Sequence, residues 1–195
     1  ERDAALKAID ALEKKQPDQP LAANLRGRVL VLKKDSAGAR ASFEKALKLD
    51  PRYYPAVASL AALDLVENKP DAARTRFEAY LKDDPKHVGA LVGLSSLMNR
   101  TGATSAEVSE VLQRAVRAEP GQIAPRLRLI EHQLNTRDFK GAMSSAQEAL
   151  ASQPEHPDLL QAMGRVQMAT GDTQQAITTF NRLVALKGDD PGPFM

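Results

Sequence analysis

Three histidines, His87, His132 and His156, are the only imidazoles in 195 residues, and there is no cysteine. An imidazole acts as a base or metal ligand only when partners converge on it. His87 and His156 each stand two residues after a proline, in K-H and E-H, which places both in exposed loops 69 residues apart. His132 follows Glu131 with no H-E-x-x-H and no second histidine at helical spacing, so it reads as a surface or groove histidine. The acid pairs Asp83-Asp84 and Asp189-Asp190 each precede a proline. A two-carboxylate site needs its side chains facing across a defined gap. Adjacent helical residues diverge by about 100° and do not face each other. The serine pairs Ser95-Ser96 and Ser144-Ser145 lack a G-x-S-x-G setting, and T-G-A-T and T-G-D-T lack the Lys-Ser/Thr of a phosphate loop. Without cysteine there is no disulfide, thiol catalysis or Cys-ligated metal. The expectation is a protein with no catalytic residues, no metal site and no cofactor.

Bulk composition narrows the partners. A net charge of +2 over this length gives no basic stripe for nucleic acid. Aromatic residues make up 4% and tryptophan is absent, which leaves little for stacking bases or sugars. No apolar run approaches the ~18 residues of a membrane span. The chain begins at Glu1 without a methionine or signal peptide, so the expectation is a missing N-terminus, with room for a lipid anchor before it.

What must position any binding residue is a repeat. Pro17, Pro51, Pro85, Pro120 and Pro154 recur at intervals of 34 or 35 residues, each at the end of a similar helical run such as A-L-K-L-D-P or A-V-R-A-E-P. Counted back from them, Ala5, Ala39, Ala73, Val108 and Ala142 keep the same beat. So do Ile9, Phe43, Phe77, Leu112 and Ala146, then Leu12, Ala46, Tyr80, Ala115 and Ala149. Small, large and mostly small residues at steps of four and three share one helix face, as close helix packing requires. The last unit repeats the rhythm with Ala176, Phe180 and Leu183, and its proline is displaced to Pro191. Each unit splits into two helices. Pro20, Pro55, Pro125 and Pro157 fit first helical turns, as does Pro70, and Gly102 and Gly171 supply left-handed helix ends.

Thirty-four residues holding two helices resembles the tetratricopeptide family over essentially the whole chain. Its small first-helix residue appears as Gly27, Ala61, Ser95 and Gly164, with Ile130 departing from the pattern. Its second-helix signature appears as Ala39, Phe43, Ala46 and Pro51. The resemblance implies an all-α, right-handed α-solenoid of about eleven helices, one lone helix and five pairs. The array would occupy 1–195 as a half repeat 1–17 and repeats 18–51, 52–85, 86–120, 121–154 and 155–188. Neither end reads as a polar cap, so a fragment of a longer array is expected. The strings L-R-G-R-V-L, A-G-A-R-A-S-F-E-K-A-L-K-L-D-P-R-Y-Y-P and P-D-A-A-R-T-R-F-E-A-Y-L are similar to the tetratricopeptide lipoproteins of bacterial PEP-CTERM/exosortase exopolysaccharide systems. That likeness implies a periplasmic protein, membrane-anchored through a lipidated N-terminus and working in polymer synthesis or export.

Carried over position by position, the family's concave face implies Asn24 and Arg28 in the second unit, Ala58, Ala62 and Leu65 in the third, and Val92, Ser96 and Asn99 in the fourth. The fifth unit contributes Leu127, Arg128 and Glu131, and the last Gln161, Arg165 and Met168. Of these, Asn24, Arg28, Ser96, Asn99, Arg128, Glu131, Gln161 and Arg165 are the expected partner-binding residues. The arginines can grip a carboxylate in two places, which points to an acidic or C-terminal peptide. The family's chaperone-binding clamp needs Lys and Asn across adjacent repeats, and Ala58 and Ala62 interrupt it. A polysaccharide-guiding module and a self-associating array are the alternatives. Tyr53 and Tyr54 read as packing residues between repeats.

Overall fold

The computed structural model describes residues 2–188 and shows only helices there, with no strand among the described residues. Asp189, Asp190 and Pro191 lie outside the described residues. The eleven helices are α1 (Arg2–Lys15), α2 (Pro20–Leu32), α3 (Ser36–Leu49), α4 (Tyr54–Val66), α5 (Pro70–Asp83), α6 (Val88–Arg100), α7 (Ser105–Ala118), α8 (Ile123–Asn135), α9 (Phe139–Ser152), α10 (Pro157–Thr170) and α11 (Thr173–Gly188). One lone helix followed by five pairs is the expected succession. The chain divides into two compact units at Thr101/Gly102, within the segment 86–120, so α1–α6 form one unit and α7–α11 the other.

Local chemistry sets the helix limits. Prolines occupy the first turn of α2, α4, α5 and α10, where a missing N–H costs nothing. The Asp35 and Asp138 carboxylates accept from the backbone N–H of Gly38 and Gly141 and so start α3 and α9. Thr104 and Glu107 form a reciprocal capping box on α7. Left-handed residues turn each first helix into its second: Lys34 (φ 63°), Asn68 (φ 58°), Gly102 (φ 82°), Arg137 (φ 62°) and Gly171 (φ 86°). Gly102 and Gly171 take the left-handed role expected of them. In the other three turns the chain tolerates a Cβ there, at a steric cost.

The small–large beat is the interlock between paired helices. A Cβ on Gly27 would lie 2.4 Å from the Phe43 ring, and one on Gly164 would lie 2.5 Å from the Phe180 ring. In α8 and α9 the sizes are exchanged. Ile130 stands where Gly27 does, Ala146 stands where Phe43 does, and both are buried in one cluster with Leu159, Met163 and Val166. The departure at Ile130 is therefore a compensated swap that conserves the filled volume. The first unit has its own cluster around Phe43, Ala46 and Leu60.

Within each unit the first helices approach one another directly, α2 with α4, α4 with α6, and α8 with α10. Within each unit, among the described residues, no such backbone contact joins successive second helices. Each unit therefore curves with its first helices on the inside.

Charged ties reinforce the first unit. Asp64 on α4 is 1% exposed and accepts from Arg40 of α3 at 2.7 Å and from Arg76 of α5 at 2.5 Å. Arg40 also reaches Glu67 at 2.9 Å. Burial pushes the Asp64 carboxyl up, but the hydrogen bonds and charges of Arg76 and Arg40 outweigh it and hold the group below the usual carboxylate range. One carboxylate thus joins three successive helices.

Candidate partner-binding face

In the first unit the inner side of α2 and α4 carries Arg28, exposed and with no ion-pair or hydrogen-bond partner among the described residues. Its neighbours contrast with it. Arg26 is held by Asp10 at 2.8 Å and Glu13 at 2.5 Å, and Arg40 and Arg76 are committed to Asp64. Beside Arg28 lies a hollow of about 430 Å³ floored by Phe43 and walled by Val31, Ala62, Leu63 and Val66. Ala58 and Leu65 are half-buried along the same helix.

Asn24 departs from the expectation of an accessible side chain. It is only 4% exposed, and its Oδ1 finds no hydrogen-bond partner. The reason is the crowding of α2, which contacts α1, α3 and α4 and so keeps a narrower open stripe than its pitch alone suggests. Ser96 and Asn99 on α6 are exposed, and the Ser96 hydroxyl donates to the Val92 carbonyl at 2.9 Å.

In the second unit, Leu127, Glu131, Gln161 and Arg165 come together around a hollow of about 230 Å³ between α8 and α10, with Asp158 at its edge. Arg165 is exposed there. Arg128 is also exposed, lies outside this hollow and pairs with Glu131 at 3.5 Å. Met168 is exposed on the same helix as Gln161.

The histidines are structural. His132 is buried, correcting the expected surface or groove position. Its Nε2 lies 3.0 Å from the Ser105 carbonyl and 3.3 Å from the Ser105 hydroxyl, so Nε2–H donates and ties α8 to the start of α7. His87 and His156 are half-buried helix caps rather than free loop residues. Their Nδ1 atoms accept from the backbone N–H of Ala90 at 3.1 Å and Asp158 at 3.2 Å. His87 also stacks at 4.4 Å from Tyr54 and 5.1 Å from Tyr80. Tyr54 donates to the Gly89 carbonyl at 2.5 Å, and burial pushes its hydroxyl up to about 12. Tyr53 packs against the core around Phe43, so both tyrosines serve packing between repeats.

Among the described residues no group of His, Asp and Glu is arranged to hold a metal, and no helix is long and apolar enough to cross a membrane. Lining residues of the first hollow that sequence reasoning passed over include Val31, Lys34 and Val66. Their signal was present but faint: two large apolar residues at the ends of first helices, and a lysine at a turn without glycine.

Comparison with known structures places this architecture. The fold is similar to a MamA crystal structure at 16% identity and TM-score 0.66, covering 90% of this chain and 96% of that one. It is similar to MamA from Desulfovibrio magneticus RS-1 at 14% identity and TM-score 0.65, over 89% and 97%. A third likeness is to YrrB, a tetratricopeptide protein described as having an unusual peptide-binding site, at 17% identity and TM-score 0.58 over 95% of both chains. At such identities the likeness establishes the fold. No curated protein matches by sequence. Tetratricopeptide-repeat family profiles match residues 30–103 and 136–192, and a second such profile matches 1–54. With the paired helices, the interlocking small and large residues and the recurrent turn all in register with those matches, the chain belongs to the tetratricopeptide-repeat family.

Proposed function

We propose that this protein is a non-catalytic scaffold whose inner, first-helix faces bind a segment of a partner protein. The observation that carries the reading is the contrast among arginines. Most of those in the first unit's interior are neutralised by carboxylates, while Arg28 has no partner among the described residues and stands on the inner face beside an apolar hollow. An unsatisfied guanidinium favours a carboxylate-bearing segment, acidic or C-terminal. In the second unit Arg165 lines the inner hollow together with Glu131 and Asp158, so the carboxylate preference rests on Arg28. Tyr54 and Tyr80 spend their rings on each other and on His87, which weighs against the sugar-polymer alternative.

The setting we propose is the bacterial envelope, with the protein facing the periplasm from a lipidated N-terminus and serving exopolysaccharide assembly. Support comes from strings such as L-R-G-R-V-L and A-S-F-E-K-A-L-K-L-D-P, which resemble the lipoproteins of those systems. Capture from envelope extract should be compared between the native chain and Arg28→Glu/Arg128→Glu/Arg165→Glu, with circular dichroism confirming that the variant is folded. A partner from the polymer-export machinery retained by the native chain and lost by the folded variant is the expected result. Equal capture by both would remove the inner faces from the mechanism.

A further inference from the structure

Resting on the scaffold reading, we infer that the hollow between α2 and α4 takes a peptide segment in which a bulky apolar side chain stands next to a carboxylate. The side chain enters against Ala62, Leu63 and Val66, and the carboxylate meets Arg28 and Lys34.

Three observations converge on that chemistry. The hollow has about 430 Å³ of space and is walled mainly by apolar atoms, with Phe43 at its floor. Its rim leaves apolar side chains open to water, Val31 at 46% exposure and Val66 at 81%. Exposed large apolar groups gathered at one concavity mark an interaction site more than a scattered surface does.

Charge then selects the ligand. The only ionisable side chains lining this hollow are Arg28 and Lys34, both cationic and neither paired among the described residues. Two other hollows differ. The one between α8 and α10 sets Glu131 and Asp158 beside Arg165, and the one near Tyr80 sets Asp83 and Asp84 beside Arg52 and Arg76. Mixed charge gives those two no strong preference, whereas two cations over an apolar floor favour an anion attached to an apolar group.

Lys34 holds the left-handed bend at φ 63°, a position that Asn68 and Arg137 fill in two other turns and Gly102 and Gly171 in the remaining two. From there it places a cation at the rim of the hollow.

The test is selection from a phage-displayed random dodecapeptide library against the full chain, followed by binding titrations with the best synthetic peptide. The expected consensus puts Asp or Glu beside Leu, Ile, Met or Phe. Arg28→Gln should weaken binding roughly 10-fold or more, as loss of a charge-assisted hydrogen bond does. Replacing the peptide acid by its amide should cost the native chain about the same factor and cost Arg28→Gln little more. Lys34→Gly separates binding from folding, because it should raise the thermal midpoint while weakening the peptide several-fold. Val66→Asp should abolish selection of the acidic motif. Enriched peptides that lack the paired motif, or that bind these variants unchanged, would overturn the inference and leave the scaffold reading standing. A library that yields no specific binder at all would overturn both.

Discussion

Arg137 bends the chain between α8 and α9 at φ 62°, a conformation that costs an L-residue roughly 1–2 kcal/mol. Its side chain is exposed and makes no ion pair among the described residues. Arg137→Gly should therefore stabilise the protein, by about 0.5–1 kcal/mol once the greater freedom of the unfolded glycine is counted. Urea denaturation would show it as a higher midpoint with unchanged slope. Gly27 makes the opposite case. Any Cβ there meets the Phe43 ring, so Gly27→Val should cost roughly 1–3 kcal/mol or more by overpacking. An unchanged thermal midpoint would show that α2 and α3 can slide apart. The sequence shows Gly27 and Phe43 as members of a beat, and the structure shows them as each other's partner. It hides Asn24 and His132, because both lie on first helices enclosed by neighbours on three sides, where helical pitch alone no longer tells inside from outside.

Three helices meet at Asp64, and the interaction with Arg40 and Arg76 makes α3, α4 and α5 a mechanical group. Because those arginines hold the folded carboxyl below its ordinary range, the unfolded chain binds more protons as pH falls. The stabilisation is thus fully present at neutral pH and is lost as pH drops through the ordinary carboxylate range toward the depressed folded value. Glu13 and Glu67 are lowered by their own cationic partners, Lys45 with Arg26 and Lys69 with Arg40, and act in the same direction. Thermal midpoints recorded from pH 7 to pH 3 should fall most steeply in the last stretch. Asp64→Asn should cost about 2–3 kcal/mol at pH 7, in the range of hydrogen bonds to charged groups, and should flatten that fall. An equally steep acid slope in the variant would move the effect to other carboxylates. This tie is not readable from sequence, since Arg40 and Arg76 lie 24 and 12 residues from Asp64 and nothing in their local strings pairs them. Helix starts, by contrast, were legible, because prolines in first turns act on the backbone directly.

At the scale of the whole molecule, helix number and pairing followed from a proline interval of 34 or 35 residues, since a stacked unit must repeat its turn to repeat its core. The division at Thr101/Gly102 was not legible, because the same beat runs through it. The second unit keeps its own apolar cluster from Ile130 to Val166. A fragment from Gly102 to Met195 should therefore fold alone, giving a helical circular-dichroism spectrum and a sigmoidal melt. A featureless melt would show that its core needs the preceding helices.

The exchanged sizes at Ile130 and Ala146 also set a rule for recombination. A chimera that joins α8 to α3 would drive an isoleucine into a phenylalanine, and one that joins α2 to α9 would leave a void between glycine and alanine. Both halves of a repeat must be transplanted together, so the heritable module of this chain is the helix pair, and a crossover at the bend within a pair breaks it.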